Sequence, residues 1–100
     1  MAKVKAIRKT DEFDAWMRGL EDRITRTRIA VRIDKLAHGL LGDCEPVGEG
    51  VHELREHHGP GYRIYFTSRD KALVILLCGG TKGSQASDIR RAKKLAREIP

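Results

Sequence analysis

Val51-His52-Glu53-Leu54-Arg55-Glu56-His57, Tyr62-Arg63-Ile64-Tyr65-Phe66-Thr67 and Ala72-Leu73-Val74-Ile75-Leu76-Leu77-Cys78 are three runs of strand character in one half of a 100-residue chain. The connectors, His58-Gly59-Pro60-Gly61 and Ser68-Arg69-Asp70-Lys71, are short and rich in turn formers, so the runs are expected to pair as an antiparallel meander. In the middle run, alternation puts Tyr62, Ile64 and Phe66 on one face and Arg63, Tyr65 and Thr67 on the other. The last run is apolar on both faces, which suits a central strand covered at least partly on both sides.

Upstream, Gly42, Pro46, Gly48 and Gly50 mark a loop of about nine residues, within the usual range for a compact domain. A helix before it starts at about Asp22, with Ile24, Val31, Ile33, Leu36, Ala37 and Leu40 as its apolar side and Gly39 as its C-cap. Arg23, Arg26, Arg28, Arg32 and Lys35 fill its other side, either as a solvated face or as a contact for RNA or a partner. An earlier helix is expected from Thr10-Asp11-Glu12, an N-cap followed by carboxylates at the positive end of the helix dipole. Phe13, Trp16, Met17 and Leu20 make its buried face, and Gly19 breaks it. Val4 to Lys9 reads as a further strand. Downstream, Gly79-Gly80-Thr81-Lys82-Gly83 leads to a final helix capped by Ser84 or Ser87, with Ile89, Ala92, Ala96 and Ile99 as a narrow apolar stripe. The expected fold class is α+β, in one domain spanning residues 1–100.

Composition bounds the function. With 40% hydrophobic and 34% charged residues the chain is globular, and its longest apolar run, Ala72 to Cys78, is far short of the roughly 20 residues of a membrane helix. Met1-Ala2-Lys3-Val4-Lys5 has no apolar signal core, so a cytoplasmic location is expected. Cys44 and Cys78 offer neither metal spacing nor a disulfide framework, and His38, His52, His57 and His58 fall in no zinc-binding pattern; no metal or cofactor is expected. The net charge of +6 favours a polyanion or an acidic protein as partner without choosing between them. Between Lys82 and Glu98, six basic residues, among them Arg90, Arg91 and Lys94, face only Asp88 and Glu98.

If Leu54 points into the core, Arg55 and His57 project to the face that carries Arg63 and Tyr65, and Lys82 lies just beyond the end of the last strand. Such a surface would bind phosphate, with Tyr65 as a ring on which a base stacks. The same residues also suit a merely solvated sheet face with Tyr65 as packing.

Pro46-Val47-Gly48-Glu49-Gly50-Val51-His52-Glu53-Leu54-Arg55, then Gly59-Pro60-Gly61-Tyr62-Arg63-Ile64-Tyr65-Phe66, then Leu76-Leu77-Cys78-Gly79-Gly80-Thr81-Lys82, resembles the RelE/HigB-like toxin superfamily, most closely its addiction-module killer protein branch. The resemblance extends over nearly the whole chain, including Trp16 and the arginine-rich second helix. It implies two N-terminal helices packed on a twisted antiparallel β-sheet with a C-terminal helix. It also implies a toxin of a type II toxin-antitoxin system: a metal-independent, ribosome-dependent mRNA endoribonuclease that inhibits translation. The implied partners are the ribosome and mRNA, and a cognate antitoxin, commonly a helix-turn-helix protein encoded by the adjacent gene. On this resemblance Arg63 matches the family's strand arginine, and Arg55 and Lys82 occupy places of further basic residues. The tyrosine or histidine that relatives carry near the C-terminus is absent after Tyr65, which leaves His57 as the candidate acid or base. RNA contacts are expected from Tyr65, Arg90, Arg91 and Lys94. A non-enzymatic, ParE-like toxin and a plain RNA- or partner-binding module on the same fold are the alternatives.

Overall fold

Thr10 begins the first helix as expected: its Oγ accepts from the Phe13 amide at 3.0 Å and donates to the carbonyl of Leu77 at 2.6 Å, so one side chain caps α1 (Asp11–Arg18) and ties it to the sheet. In the computed structural model, which describes residues 4–100, α1 follows β1 (Ala6–Lys9). Met1, Ala2 and Lys3, part of the stretch read as lacking a signal core, lie outside the described residues. After α2 (Arg23–Ala37) come β2 (Cys44–Gly48), β3 (Val51–Glu56), β4 (Tyr62–Arg69) and β5 (Leu73–Thr81), then a 3-10 turn (Lys82–Ser84) and α3 (Gln85–Glu98).

The strands form one sheet in the order β1-β5-β4-β3-β2. The expected meander β3-β4-β5 is present and antiparallel, with β5 inside the sheet. The further strand read from Val4 to Lys9 joins the sheet as β1, parallel to β5, so the otherwise antiparallel sheet is mixed at that edge. One expectation is corrected: the stretch read as a loop contains β2, an edge strand paired with β3. An edge tolerates Pro46, which has no amide hydrogen to give to a ladder, and the pairing shifts register between Pro46 and Gly48.

The apolar side of α2 also differs from expectation. Thr25, Ile29, Ile33, Leu36 and Ala37 are buried, at spacings of four, four, three and one, whereas Ile24, Val31 and Leu40 are 60%, 47% and 61% exposed. The Thr25 hydroxyl escapes the cost of burial by donating to the N-cap carboxylate of Asp22 at 2.8 Å. At the other end His38 is the C-cap and Gly39 the residue after it, at φ 80°; the amides of Gly39 and Leu40 bond back to the carbonyls of Leu36 and Lys35.

Two cores result. Phe13 of α1 and Ile29, Ile33 and Leu36 of α2 pack with Leu54, Ile64, Phe66, Val74 and Leu76 on one face of the sheet. On the other face Val51, Tyr65, Ile75, Leu77 and Cys78 pack beneath Ala92, with Ile89, Leu95 and Ala96 of α3 and Ile99 just after it around them. The pairing skips Leu77, between Tyr65↔Cys78 and Phe66↔Leu76, and this bulge lets Leu77 and Cys78 share the α3 side. The sheet face expected to be open and polar is therefore covered by a helix.

Candidate functional site

The register of β3 and β4 sets Arg55 directly opposite Arg63 and Glu53 directly opposite Tyr65. Two guanidinium groups across a strand pair repel unless an anion lies between them, and Glu53 supplies it. This carboxylate is fully buried. Its Oε1 accepts from Arg55 Nε at 2.8 Å, and its Oε2 accepts from Tyr65 OH at 3.0 Å and from Gln85 Nε2, on the first turn of α3, at 2.9 Å. Three hydrogen bonds offset a desolvation cost of several kcal/mol. Arg63 is 7% exposed, and its Nε lies 3.8 Å from Glu53 Oε2, too far for a hydrogen bond; among the described residues nothing accepts from this buried donor.

Outward from Glu53 the cluster becomes accessible. Arg55 also reaches Asp43 Oδ1 at 3.4 Å and Glu45 Oε2 at 3.2 Å, and its bonds to Glu53 first and Glu45 second push its pKa further up. Arg32 of α2 holds the frame by donating to the carbonyls of Asp43 and Arg55. Asp43 then turns its other oxygen to His57 Nε2 at 2.5 Å. The hydrogen bond with His57, followed by the charge of Arg55, holds the Asp43 carboxyl below its ordinary value. His57 is largely exposed, whereas His58 turns to Asp22, 3.8 Å away. At the same end of the sheet the Lys82 amide donates to the Gly61 carbonyl at 2.9 Å, so the loop after His57 and the exposed Lys82 are neighbours.

Arg55, Arg63, His57 and Lys82 thus gather where β3 ends, β4 begins and β5 runs into α3. Tyr65 does not serve as a stacking platform: it is fully buried beneath α3, and burial, reinforced by the Glu53 charge, pushes its phenol pKa up. The patch is not uniformly basic either, because Arg55 is surrounded by three carboxylates. Arg91 bonds Glu12 of α1 through both its Nε and an Nη, while Arg90 and Lys94 stay exposed on α3. Among the described residues no group of three or more His, Cys, Asp or Glu side chains is placed to hold a metal ion. Cys44 and Cys78 are free thiols, and burial pushes that of Cys78 up to about 12.

Glu53, Asp43 and Gln85 were absent from the candidates read in the sequence. Glu53 was within reach, since alternation with Leu54 in the core puts it on the Arg55 face, opposite Tyr65. Asp43 and Gln85 lie outside the three runs and carried no comparable signal. The arrangement offers a histidine oriented by a carboxylate, suited to proton transfer, at the same sheet end as an under-bonded guanidinium and an ammonium group suited to an anion.

The sequence profile described as "Phage derived protein Gp49-like (DUF891)" matches residues 15–99. An uncharacterized Haemophilus influenzae protein is 43% identical over 93 residues, covering 93% of this chain and 94% of that protein. Among solved structures, a double arginine-to-alanine mutant of the E. coli toxin RelE in the free state is similar, with a TM-score of 0.71 at 15% identity, covering 96% of this chain and 99% of that one.

Proposed function

This chain belongs to the phage-derived Gp49-like family, a RelE-like toxin family, and has the RelE fold; from that premise we propose that it is the toxin of a toxin-antitoxin pair and cuts mRNA on the ribosome without a metal. The observation that carries the nuclease reading is the His57–Asp43 pair standing at the Arg63 end of the sheet. His57, oriented by Asp43, takes the proton of a ribose 2′-hydroxyl as that oxygen attacks the adjacent phosphorus. Lys82 and the small part of the Arg63 side chain that reaches the surface meet the charge that develops on the non-bridging oxygens. The 5′-oxygen leaves with a proton taken from solvent water, His57 gives its own back to solvent, and the products are a 2′,3′-cyclic phosphate and a 5′-hydroxyl. The partner is an antitoxin, a helix-turn-helix protein encoded next to this gene. Among the described residues no helix is long and apolar enough to cross a membrane.

The test is induction in a bacterium, with growth measured and mRNA 5′ ends mapped. Both His57 and Lys82 are exposed, so His57→Ala and Lys82→Ala should fold and still lose cleavage, the lysine change by about 10²–10³-fold if it acts as an oxyanion donor does. Growth arrest without new 5′ ends overturns the nuclease reading. A second reading, a toxin on this fold that is not an enzyme, is favoured by the engagement of Arg55 with carboxylates and the burial of Tyr65. It predicts arrest that survives Arg63→Ala, Arg55→Ala and Lys82→Ala together.

A further inference from the structure

Among the described residues nothing packs on the outward face of α2, which nevertheless carries apolar side chains. Ile24, Thr27, Arg28, Val31 and Lys35 recur at helical spacing, opposite the buried stripe of Thr25, Ile29, Ile33 and Leu36. Beside Val31 a groove of about 310 Å3 is lined by Thr27, Arg28, Arg32, Lys35 and Glu56. Its one carboxylate, Glu56, is 3.7 Å from both Arg28 and Arg32. From Arg23 to Ala37 the helix has five cations against Asp34 alone, and among the described residues only Arg28 and Arg32 of those five form ion pairs. We infer that this face docks an acidic, amphipathic helical segment of a partner protein, whose apolar side covers Ile24 and Val31 while its carboxylates meet Arg23, Arg28 and Lys35.

Charge chooses an anionic occupant, and the side chains then choose between protein and nucleic acid. RNA gains from cations and aromatic rings, and this face has no aromatic residue; aliphatic Ile24 and Val31 gain from another apolar surface. A second copy of this chain would bring the same cations against themselves. The face lies on the sheet side opposite α3, so an occupant makes no contact with the α3 side. The inference deepens the toxin reading, in which the segment belongs to the neutralising partner, but binding and growth arrest are read separately.

The probe is a fluorescein-labelled 18-residue peptide with leucines along one helical face and glutamates elsewhere, followed by anisotropy with the full chain. Saturable binding is expected, weakened by added salt and weakened about tenfold or more by Val31→Glu with Ile24→Glu and by Arg28→Glu with Lys35→Glu. These side chains are exposed, so circular dichroism should be unchanged. No binding, or binding unaffected by these changes, overturns the inference. So does displacement of the peptide by a 20-nucleotide oligouridylate, which identifies a nucleic-acid face, or a wild-type dimer in sedimentation that Val31→Glu dissolves. Growth arrest lost in the wild type with peptide binding intact removes the toxin reading and leaves the docking face standing.

Discussion

Replacing Glu53 with alanine removes the acceptor for Arg55 Nε, Tyr65 OH and Gln85 Nε2 together, and leaves Arg55 opposite Arg63 with no anion between them. Breaking a buried ion pair from one side costs about 3–5 kcal/mol, and each stranded donor accounts for about 1–3 of it. Because domains of this size are typically stable by about 5–15 kcal/mol, the loss is about a fifth of the total or more. In urea it appears as a midpoint lowered by about 2–3 M at a slope of about 1.5 kcal/mol/M. Glu53→Gln keeps the shape and one accepting oxygen but loses the charge, so it should fall between alanine and wild type. Glu45→Ala is the internal control: it removes another carboxylate from the same Arg55, but an exposed one, and should cost no more than about 1 kcal/mol. If Glu53→Ala costs no more than Glu45→Ala, Glu53 is not the hub of the cluster and the account of the site is wrong.

Tyr65, whose phenol pKa lies above the ordinary 10.0, stabilises the fold fully below pH 10 and loses that contribution as alkali ionises the unfolded chain; stability should therefore fall with pH above 10, and more weakly in Tyr65→Phe. The neutral cost of Tyr65→Phe, one hydrogen bond to a buried charge, is about 1.5–3 kcal/mol. Gly79 lies against the Trp16 ring, where a Cβ would come within 2.3 Å; Gly79→Ala should cost about 1–3 kcal/mol by overpacking and shift the fluorescence of the sole tryptophan, whereas Gly83→Ala, whose Cβ would meet only Thr81 Oγ1 at 3.8 Å, should be near neutral. Followed by carbon NMR, the Asp43 carboxyl should titrate below 3.8 and move up toward it in His57→Ala; no movement would mean that the His57 contact does not form in solution.

Alternation and turn chemistry were enough to place the β3-β4-β5 meander, because a strand pattern of period two and a glycine-proline turn are local signals. Capping placed α1 for the same reason: Thr10 needs only the amide three residues on. Local signals failed where a neighbour decides. Cys44 to Gly48 looks like loop because Pro46 and Gly48 resist a ladder on both sides, and it becomes a strand only because β3 presents an edge. Ile24 and Val31 look like core by type, but the rotation of α2 on the sheet buries Thr25 instead.

The site divides along the same line. Residue types and their parity by themselves put Arg55, Arg63 and His57 near one strand end, and the match to a known toxin family followed from motifs readable in the chain. Only the tertiary structure decided that α3 covers this face, and with it that Tyr65 is buried, that Gln85 meets Glu53, and that Arg55 is held by three carboxylates. The physical reason is distance along the chain: a side chain's alternation is set by its own backbone, but its solvent and charge partners come from residues up to 79 positions away.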